Sequence, residues 1–210
     1  MALAATRRER LRAATRAAHH RLDHHPLLAA LMRPHVSASA QLWALAALRS
    51  PQHALEAQPD GWVARGWIAP RAPALEADLA VLCALTGQQA PVPEPKRAPA
   101  PWPQTPEHLD AAGYVLMGST LGARVIHAHL QRCAQTLPTL QFFAAAQQPP
   151  SPQAMQWLNE TAPDDAPWTL CEQAAQAVFD WILAWFDALP RPAQPCLAPS
   201  HVEKSPLAQN

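Results

Sequence analysis

Proline limits the folding of this chain more than any other residue type. The sequence of 210 residues contains 24 prolines, and a proline inside a helix or a central strand removes a backbone hydrogen bond. Long regular elements are therefore expected in the intervals between prolines. Val and Ile together number only 11, which is too few for a large sheet because β-branched residues dominate strands. The sequence predicts an all-α fold with proline-rich connections.

Helical periodicity recurs in the intervals between prolines. The pattern predicts helical segments at about residues 5–24, 37–58, 73–86, 106–135, 140–147, 152–160 and 168–189. Ser37 or Ser39 is expected to cap the second segment and Thr105 the fourth, while Gly87 is expected to end the third. Pro26 is expected to close the first segment, and Pro51 to kink or split the second.

The chain is expected to form one domain over residues 1–189, because neither half alone carries enough apolar helix to fold. Seven prolines between residues 91 and 106 predict an extended, proline-rich loop at about 88–105 inside that domain. Residues 190–210 are also proline-rich and predict a flexible tail.

Charge and cysteine spacing exclude several function classes. Sixteen Lys and Arg balance 16 Asp and Glu, so charge gives no basis for binding nucleic acid or an anionic membrane. The four cysteines form no CxxC pair, which excludes a zinc-finger pattern. The N-terminus lacks the apolar core of a secretory signal, and no stretch of 18 apolar residues predicts a membrane span. A cytoplasmic location is therefore expected.

Three of the six glycines lie in one helical run, GYVLMGSTLGARVI, at positions 113, 118 and 122. Each glycine inside a helix costs about 1 kcal/mol relative to alanine, so their presence calls for a reason. Gly118 and Gly122 are four residues apart and share one face of the helix. That face allows either a close crossing with another helix or the approach of a planar ligand to the backbone. Both interpretations stay open at this point.

The first predicted helix carries a cluster of histidines, namely His19, His20, His24 and His25. The last three are interpreted as solvated surface residues. His19 borders the apolar stripe, and Asp23 lies one turn later, where its carboxylate can accept a hydrogen bond from the imidazole. Such a pair orients a metal-ligating histidine. Arg12 lies on the same face, so this side of the helix suits an iron porphyrin with its propionates.

The sequence resembles the bacterial haem oxygenase family over roughly residues 8–188. The resemblance rests on four segments in order: LRAATRAAHHRLD, LEADLAVLCALTG, GYVLMGSTLGARVI and FFAAAQ…WLNE…AAQAVFDWILAWFD. It implies a haem-oxygenase-like helical bundle with haem between two helices. The implied activity is the O2- and electron-dependent cleavage of haem to biliverdin, Fe2+ and CO, for iron acquisition or for the supply of a bilin chromophore.

The resemblance also implies roles for individual residues. His19 is the expected iron ligand, as the histidine four residues after Thr15. The distal helix is expected to bring its backbone and small hydroxyls close to the haem, through Gly118, Ser119, Thr120 and Gly122. The expected contacts of the propionates and of the pocket wall are Arg12, Tyr114, Phe142 and Phe143.

The implied reaction needs partners that this chain does not contain. Haem serves as both cofactor and substrate, and O2 is consumed. No flavin or NAD fingerprint occurs in the sequence, so a separate reductase or ferredoxin is the expected electron donor. A photoreceptor that accepts the bilin is a further candidate partner.

Two positions and one stretch of the chain depart from the family pattern. Met117 stands where bacterial members often have Glu, and Trp43 where Tyr is expected. No Lys or Arg occurs between residues 132 and 191, so the C-terminal helices cannot supply basic contacts for propionates.

Three other functions stay open on the sequence. The first is a non-catalytic haem binder or carrier on the same fold. The second is a helical di-iron oxidase, which would need Glu-x-x-His ligands on facing helices. The third is a purely structural or partner-binding helical protein, supported by the eight tryptophans and the proline-rich loop.

Overall fold

The computed structural model describes residues 4–93, 102–133 and 140–190. Within these ranges the chain is helical, with a single isolated bridge between Thr6 and Thr161 in place of any strand. The helices are α1 (Arg7–Asp23), α2 (Pro26–Ala29), α3 (Ala38–Glu56), α4 (Ala72–Thr86), α5 (Pro106–Cys133), α6 (Gln141–Ala145), α7 (Pro152–Asn159) and α8 (Ala166–Asp187), with a 3₁₀ turn at Ala30–Met32. The all-α prediction is therefore confirmed for the described residues.

Most of the predicted loop and tail lies outside the description. The described part of the chain omits residues 94–101 of the proline-rich connection, residues 134–139 after α5, and residues 191–210. Among the described helices, none combines the length and apolar character that crossing a bilayer requires.

Three helix ends are set by caps, two of them at residues that the sequence predicts. The Ser37 hydroxyl accepts from the Ala40 N–H at 3.1 Å and begins α3, which selects Ser37 over Ser39 as the cap. Gly87 ends α4 with a φ of 65°, a conformation that favours glycine. Thr6 and Glu9 form a reciprocal capping box at the start of α1.

Pro51 and Pro26 take different places in the helices. Of the two effects expected of Pro51, a kink or a split, the split is wrong, since α3 continues to Glu56. An internal proline costs about 3 kcal/mol, and the buried residues before and after it in α3, such as Leu45 and Leu55, offset that cost. α1 ends at Asp23 with His24 as its C-cap, just before Pro26 as expected. Pro26 also opens α2, where its fixed φ suits the first helical position.

The core is centred on α8, which packs against α1, α3 and α5. Ala175 and Val178 of this helix are fully buried. A second buried cluster joins α3, α4 and α6, and contains Leu45, Leu75 and Phe143. Each fully buried Leu, Val or Phe contributes about 1.5–3 kcal/mol relative to its exposed state, so the two clusters hold the helices in place.

Gly113 allows α5 to approach the turn that connects α3 to α4. A Cβ atom at this position would lie 2.2 Å from ring atoms of Trp62, which is only 1% exposed. The Trp62 indole N–H donates to Asp110 at 3.2 Å. Burial raises the pKa of Asp110, and outweighs the lowering by this bond and by Arg65 and Arg7. One of the three α5 glycines is thus required by close packing.

We predict that Gly113→Ala destabilises the protein, whereas Gly118→Ala does not. The new methyl group at 113 would force Trp62 out of place, which typically costs about 1–3 kcal/mol. A Cβ at 118 would meet no atom within 4 Å, so alanine there should add about 0.5–1 kcal/mol through its helix propensity. Denaturant unfolding of both variants measures these changes. Equal effects of the two substitutions would contradict the packing described at Trp62.

Candidate functional site

Residues from α1, α3, α5, α6 and α8 line one cavity. Its volume is about 110 Å³, which is smaller than the roughly 300–1,000 Å³ typical of ligand sites. Most of the wall is apolar, with residues such as Leu48, Leu55, Val115, Phe179 and Ile182. The polar wall residues are His19, Asp23, Gln52, Arg71 and Ser119. This composition suits a largely apolar ligand that makes a few specific polar contacts.

His19 lies on the cavity wall in a fixed orientation. Its Nδ1 is 2.8 Å from a carboxylate oxygen of Asp23, and the two side chains are 49% and 53% exposed. The edge of the ring contacts Phe179, with a centroid separation of 5.4 Å. Because Asp23 engages Nδ1, the other ring nitrogen, Nε2, is left to bind a metal.

The neighbouring histidines have different surroundings. His20 and His24 are exposed and stack at a centroid distance of 4.0 Å, as expected for surface residues. The expectation that His25 is a solvated surface residue is wrong, since its side chain is only 15% exposed. Its Nδ1 accepts from the Leu27 N–H and caps α2, a helix that the sequence pattern did not predict. Burial lowers the pKa of His25, and outweighs the raising effect of Asp187.

Gly118 and Gly122 both line the cavity. A Cβ atom built on either one would find nothing within 4 Å. Among the described residues, the close approach is therefore that of Trp62 to Gly113, and no close helix crossing is found at Gly118 or Gly122. The α5 backbone instead faces open space, which a ligand could occupy.

The two hydroxyls between these glycines point to backbone carbonyls. Ser119 lines the cavity, and its Oγ donates to the Leu116 carbonyl at 2.7 Å. Thr120 is buried and donates to the Met117 carbonyl at 2.6 Å. Since both protons are already engaged, neither hydroxyl is a free donor toward the cavity.

Arg12 and Tyr114 lie close to one another but do not line the cavity. Arg12 is exposed and Tyr114 is half-buried. Burial raises the pKa of Tyr114, and this outweighs the opposing effects of a hydrogen bond with Thr15 and of the positive charges on Arg12 and Arg8. The structure thus brings together the two residues expected to contact propionates.

Phe142 and Phe143 reach the cavity from α6. The Asp78 carboxylate of α4 holds the start of that short helix, accepting from the backbone N–H groups of Gln141 at 2.9 Å and Phe142 at 2.8 Å. Burial raises the pKa of Asp78 despite these bonds. Asp78 therefore positions both aromatic rings, although no sequence pattern marks it for this role.

Arg71 is a cavity residue that the sequence analysis missed. It is 2% exposed, and its Nη2 donates to Ser119 Oγ at 2.5 Å and to the Leu116 carbonyl at 3.5 Å. The guanidinium lies 5.0 Å from the centre of the Phe142 ring, while Nε has no hydrogen-bond partner among the described residues. None of the ion pairs found in the described ranges includes Arg71.

Glu56 fixes the backbone of Arg71 but does not neutralise its side chain. The carboxylate accepts from the backbone N–H groups of Arg71 at 2.7 Å and Ala72 at 3.0 Å, and from the Gln52 amide at 2.5 Å. Burial lowers the pKa of Arg71 to about 10, against a raising effect of Glu56. At neutral pH the cavity therefore contains a positive charge suited to an anion or another hydrogen-bond acceptor.

A multi-ligand metal centre is not found in the described ranges. Residues 4–93, 102–133 and 140–190 contain no group of three or more His, Cys, Asp or Glu placed to hold a metal ion. The ligand set that a di-iron oxidase needs is thus missing from this part of the chain. Searches against protein-family models, curated proteins and solved structures each returned no match.

We predict that Arg71→Met leaves the free energy of unfolding unchanged or raises it by about 1–3 kcal/mol. The reason is that methionine removes a buried cation with an unsatisfied donor. Arg10→Met is the control, because it breaks the 2.6 Å pair with Glu172 and should cost up to about 1 kcal/mol. Denaturant unfolding measures both. A large loss of stability in Arg71→Met would show that Arg71 serves the fold rather than a ligand.

The difference in free energy of unfolding between the wild type and Arg71→Met is expected to depend on pH. The pKa of Arg71 in the folded chain, about 10, lies below the ordinary value of 12.5. The unfolded chain therefore holds more protons in this interval, and the stability of the wild type rises relative to Arg71→Met as the pH passes through 10. A stability difference that does not change across this pH would contradict the burial of a charged guanidinium.

Proposed function

We propose that this chain binds haem through His19 and cleaves it to biliverdin, Fe2+ and CO, using O2 and electrons from a separate donor. One observation carries the proposal. A carboxylate-oriented histidine and the open backbone at Gly118 and Gly122 line the same apolar cavity. The resemblance of the sequence to haem oxygenases rests on four segments, two of which carry His19 and these glycines, and it also supports the proposal.

The cavity residues fit haem in three respects. His19 offers Nε2 as a single nitrogen ligand for iron. The absence of side chains at Gly118 and Gly122 leaves room beside the α5 backbone for a flat ring. The aliphatic and aromatic wall matches the apolar surface of a porphyrin. Arg12 and Tyr114 do not line the cavity, so they would contact the carboxylates of the ring only where these extend beyond the wall.

Haem, when bound, supplies the iron that activates O2 and the ring that is opened. The chain itself would hold the haem, orient its iron ligand and donate hydrogen bonds into the cavity. Asp23 keeps a proton on Nδ1 of His19 and so fixes the tautomer that ligates through Nε2. The α5 backbone sets how closely the ring approaches, because a side chain at Gly118 or Gly122 would occupy the same space.

Arg71 is the hydrogen-bond donor that we assign to the α5 wall. The resemblance implies that the hydroxyls of Ser119 and Thr120 lie close to the haem, but both hydroxyls give their protons to carbonyls. In the proposal, Ser119 Oγ instead accepts from Arg71 and holds the guanidinium at the wall. The Nε–H of Arg71, which has no partner within the described ranges, and the positive charge of Arg71 then favour ordered water and negative charge in the cavity.

The test of this function is haem titration followed by addition of ascorbate in air. We expect stoichiometric binding, then loss of the Soret band and formation of a linear tetrapyrrole that mass spectrometry identifies as biliverdin. A Soret band that persists for hours with the reductant present would favour a non-catalytic haem carrier. A chain that does not bind haem would contradict both functions.

We predict that His19→Ala abolishes the spectrum of imidazole-ligated haem, whereas His20→Ala retains it. His20 is exposed and stacked on His24, away from the cavity wall. Asp23→Ala should lower haem affinity or turnover roughly 10–100-fold, as carboxylate partners of ligating histidines typically do. Asp187→Ala, which removes the carboxylate near His25, is the control. Loss of the spectrum in His20→Ala alone would mean that the ligand is misassigned.

We predict that Gly122→Leu prevents haem from seating while leaving the helix intact. Leucine is the better helix former by several tenths of a kcal/mol, so helix content and stability should hold while turnover falls. Ala128→Leu, at an exposed position of the same helix, is the matched control. Circular dichroism and the turnover assay separate the two effects. Normal turnover in Gly122→Leu would show that the open backbone does not contact the substrate.

A further inference from the structure

Two exposed histidines at the end of α1 take no part in the cavity. His20 and His24 are four residues apart, so they share one face of the helix. Their rings are stacked, with centroids 4.0 Å apart and an angle of 21° between the ring planes. His19 lines the cavity, whereas this pair lies outside it. We call the two residues the histidine pair.

The ring nitrogens of the histidine pair are accessible to a ligand. Nδ1 of His24 is 2.9 Å from the His20 carbonyl oxygen. Since a carbonyl oxygen can only accept, Nδ1 carries the proton and Nε2 of the neutral ring keeps its lone pair. Within the described ranges, no hydrogen bond or ion pair engages the ring of His20. Both side chains are exposed, so each can present one nitrogen to an ion in solvent.

The separation of the two rings suits the chelation of a transition metal. Imidazole nitrogens bind zinc at ~2.0–2.1 Å, so two of them in a tetrahedral site lie roughly 3.4 Å from one another. Rings whose centroids are 4.0 Å apart reach that spacing through a slight convergence of their edges. Helical histidines at positions i and i+4 are also a recurring pair of zinc ligands. The geometry of the pair therefore needs little rearrangement to bind a metal ion.

The electrostatic surroundings of the histidine pair favour a cation. The pair stands at the C-terminal end of α1, with His24 as the C-cap, and this end of a helix carries partial negative charge. Arg16 and Asp23 lie within one turn of the pair and have opposite charges. Arg21 is paired with Asp180. The helix end thus contributes the part of the local field that is not cancelled.

We propose that the histidine pair binds a divalent ion of the zinc, nickel and copper class. These metals favour imidazole ligands, whereas Mg2+ and Ca2+ prefer oxygen. The described part of the chain places no third His, Cys, Asp or Glu at the pair, so water completes the coordination. The bound ion joins the C-cap of α1 to the preceding turn, and so stabilises the end of the helix that carries His19 and Asp23. The inference goes beyond the proposed function and does not depend on haem.

The experiment measures Ni2+ binding by calorimetry to the full chain with the background substitution Cys133→Ser. This background is needed because the exposed thiol of Cys133 lies 3.5 Å from Nε2 of His129 and offers metals another pair of ligands. The test variants are His20→Ala, His24→Ala and the double variant. His35→Ala is the matched control, since His35 is exposed but has no metal-ligating residue one turn away.

We expect the background protein and the His35→Ala control to bind one Ni2+ that excess Mg2+ does not displace. Each single variant of the histidine pair should bind Ni2+ about tenfold or more weakly, because the advantage of two linked ligands is lost. The double variant should lose no more than either single variant, since one remaining imidazole cannot chelate. Ni2+ should also raise the melting temperature of the background protein and leave that of the double variant unchanged.

Two results would overturn the inference. One is equal Ni2+ affinity in the background protein and in His20→Ala, and the other is an equal loss of affinity in His35→Ala. Haem titration of the same variants separates this inference from the proposed function. Neither histidine of the pair lines the cavity, so haem binding should be the same in the background protein and in all the variants.

Discussion

The packing of α8 against three other helices is the contact on which the rest of this structure depends. Small and β-branched residues such as Ala174, Ala175 and Val178 are almost fully buried, which lets α1, α3 and α5 come close to the same helix. Phe179 and Ile182, on the next turns of α8, then line the cavity. The cavity is the space that α1, α3 and α5 leave between them where they pack against α8.

The polar residues of the cavity are organised around an arginine that the fold does not neutralise. Glu56 is fully occupied with the start of α4, and Asp78 with the start of α6, so neither carboxylate pairs with the Arg71 guanidinium. Burying an unpaired cation is costly. A chain that retains such a group beside open glycine backbone and a carboxylate-oriented histidine has the composition of a ligand site rather than of a core.

The features that the sequence predicts correctly are set by residues within a few positions of each other. The His19–Asp23 contact spans one helical turn, and the shared face of Gly118 and Gly122 follows from their spacing alone, so both could be read without a fold. The helix ends at Ser37 and Gly87 were equally predictable from the sequence, because caps act within a few residues.

Features that depend on distant contacts were not predictable. Arg71 meets Ser119 across 48 residues, and its only local signal is a lone basic residue in the apolar stretch WIAPRAPAL. Gly113 differs from Gly118 only because Trp62 packs on it. For both residues, the sequence could not show which distant side chain packs against them. His25 was misjudged for a local reason, since the short helix that it caps begins at Pro26, directly after the end of α1.

The most direct test of the account is a crystal structure of the complex with haem. The account predicts iron bonded to Nε2 of His19, Nδ1 still hydrogen-bonded to Asp23, and the porphyrin ring against the backbone of Gly118 and Gly122. Iron held by any other residue, or haem seated outside the cavity, would contradict it.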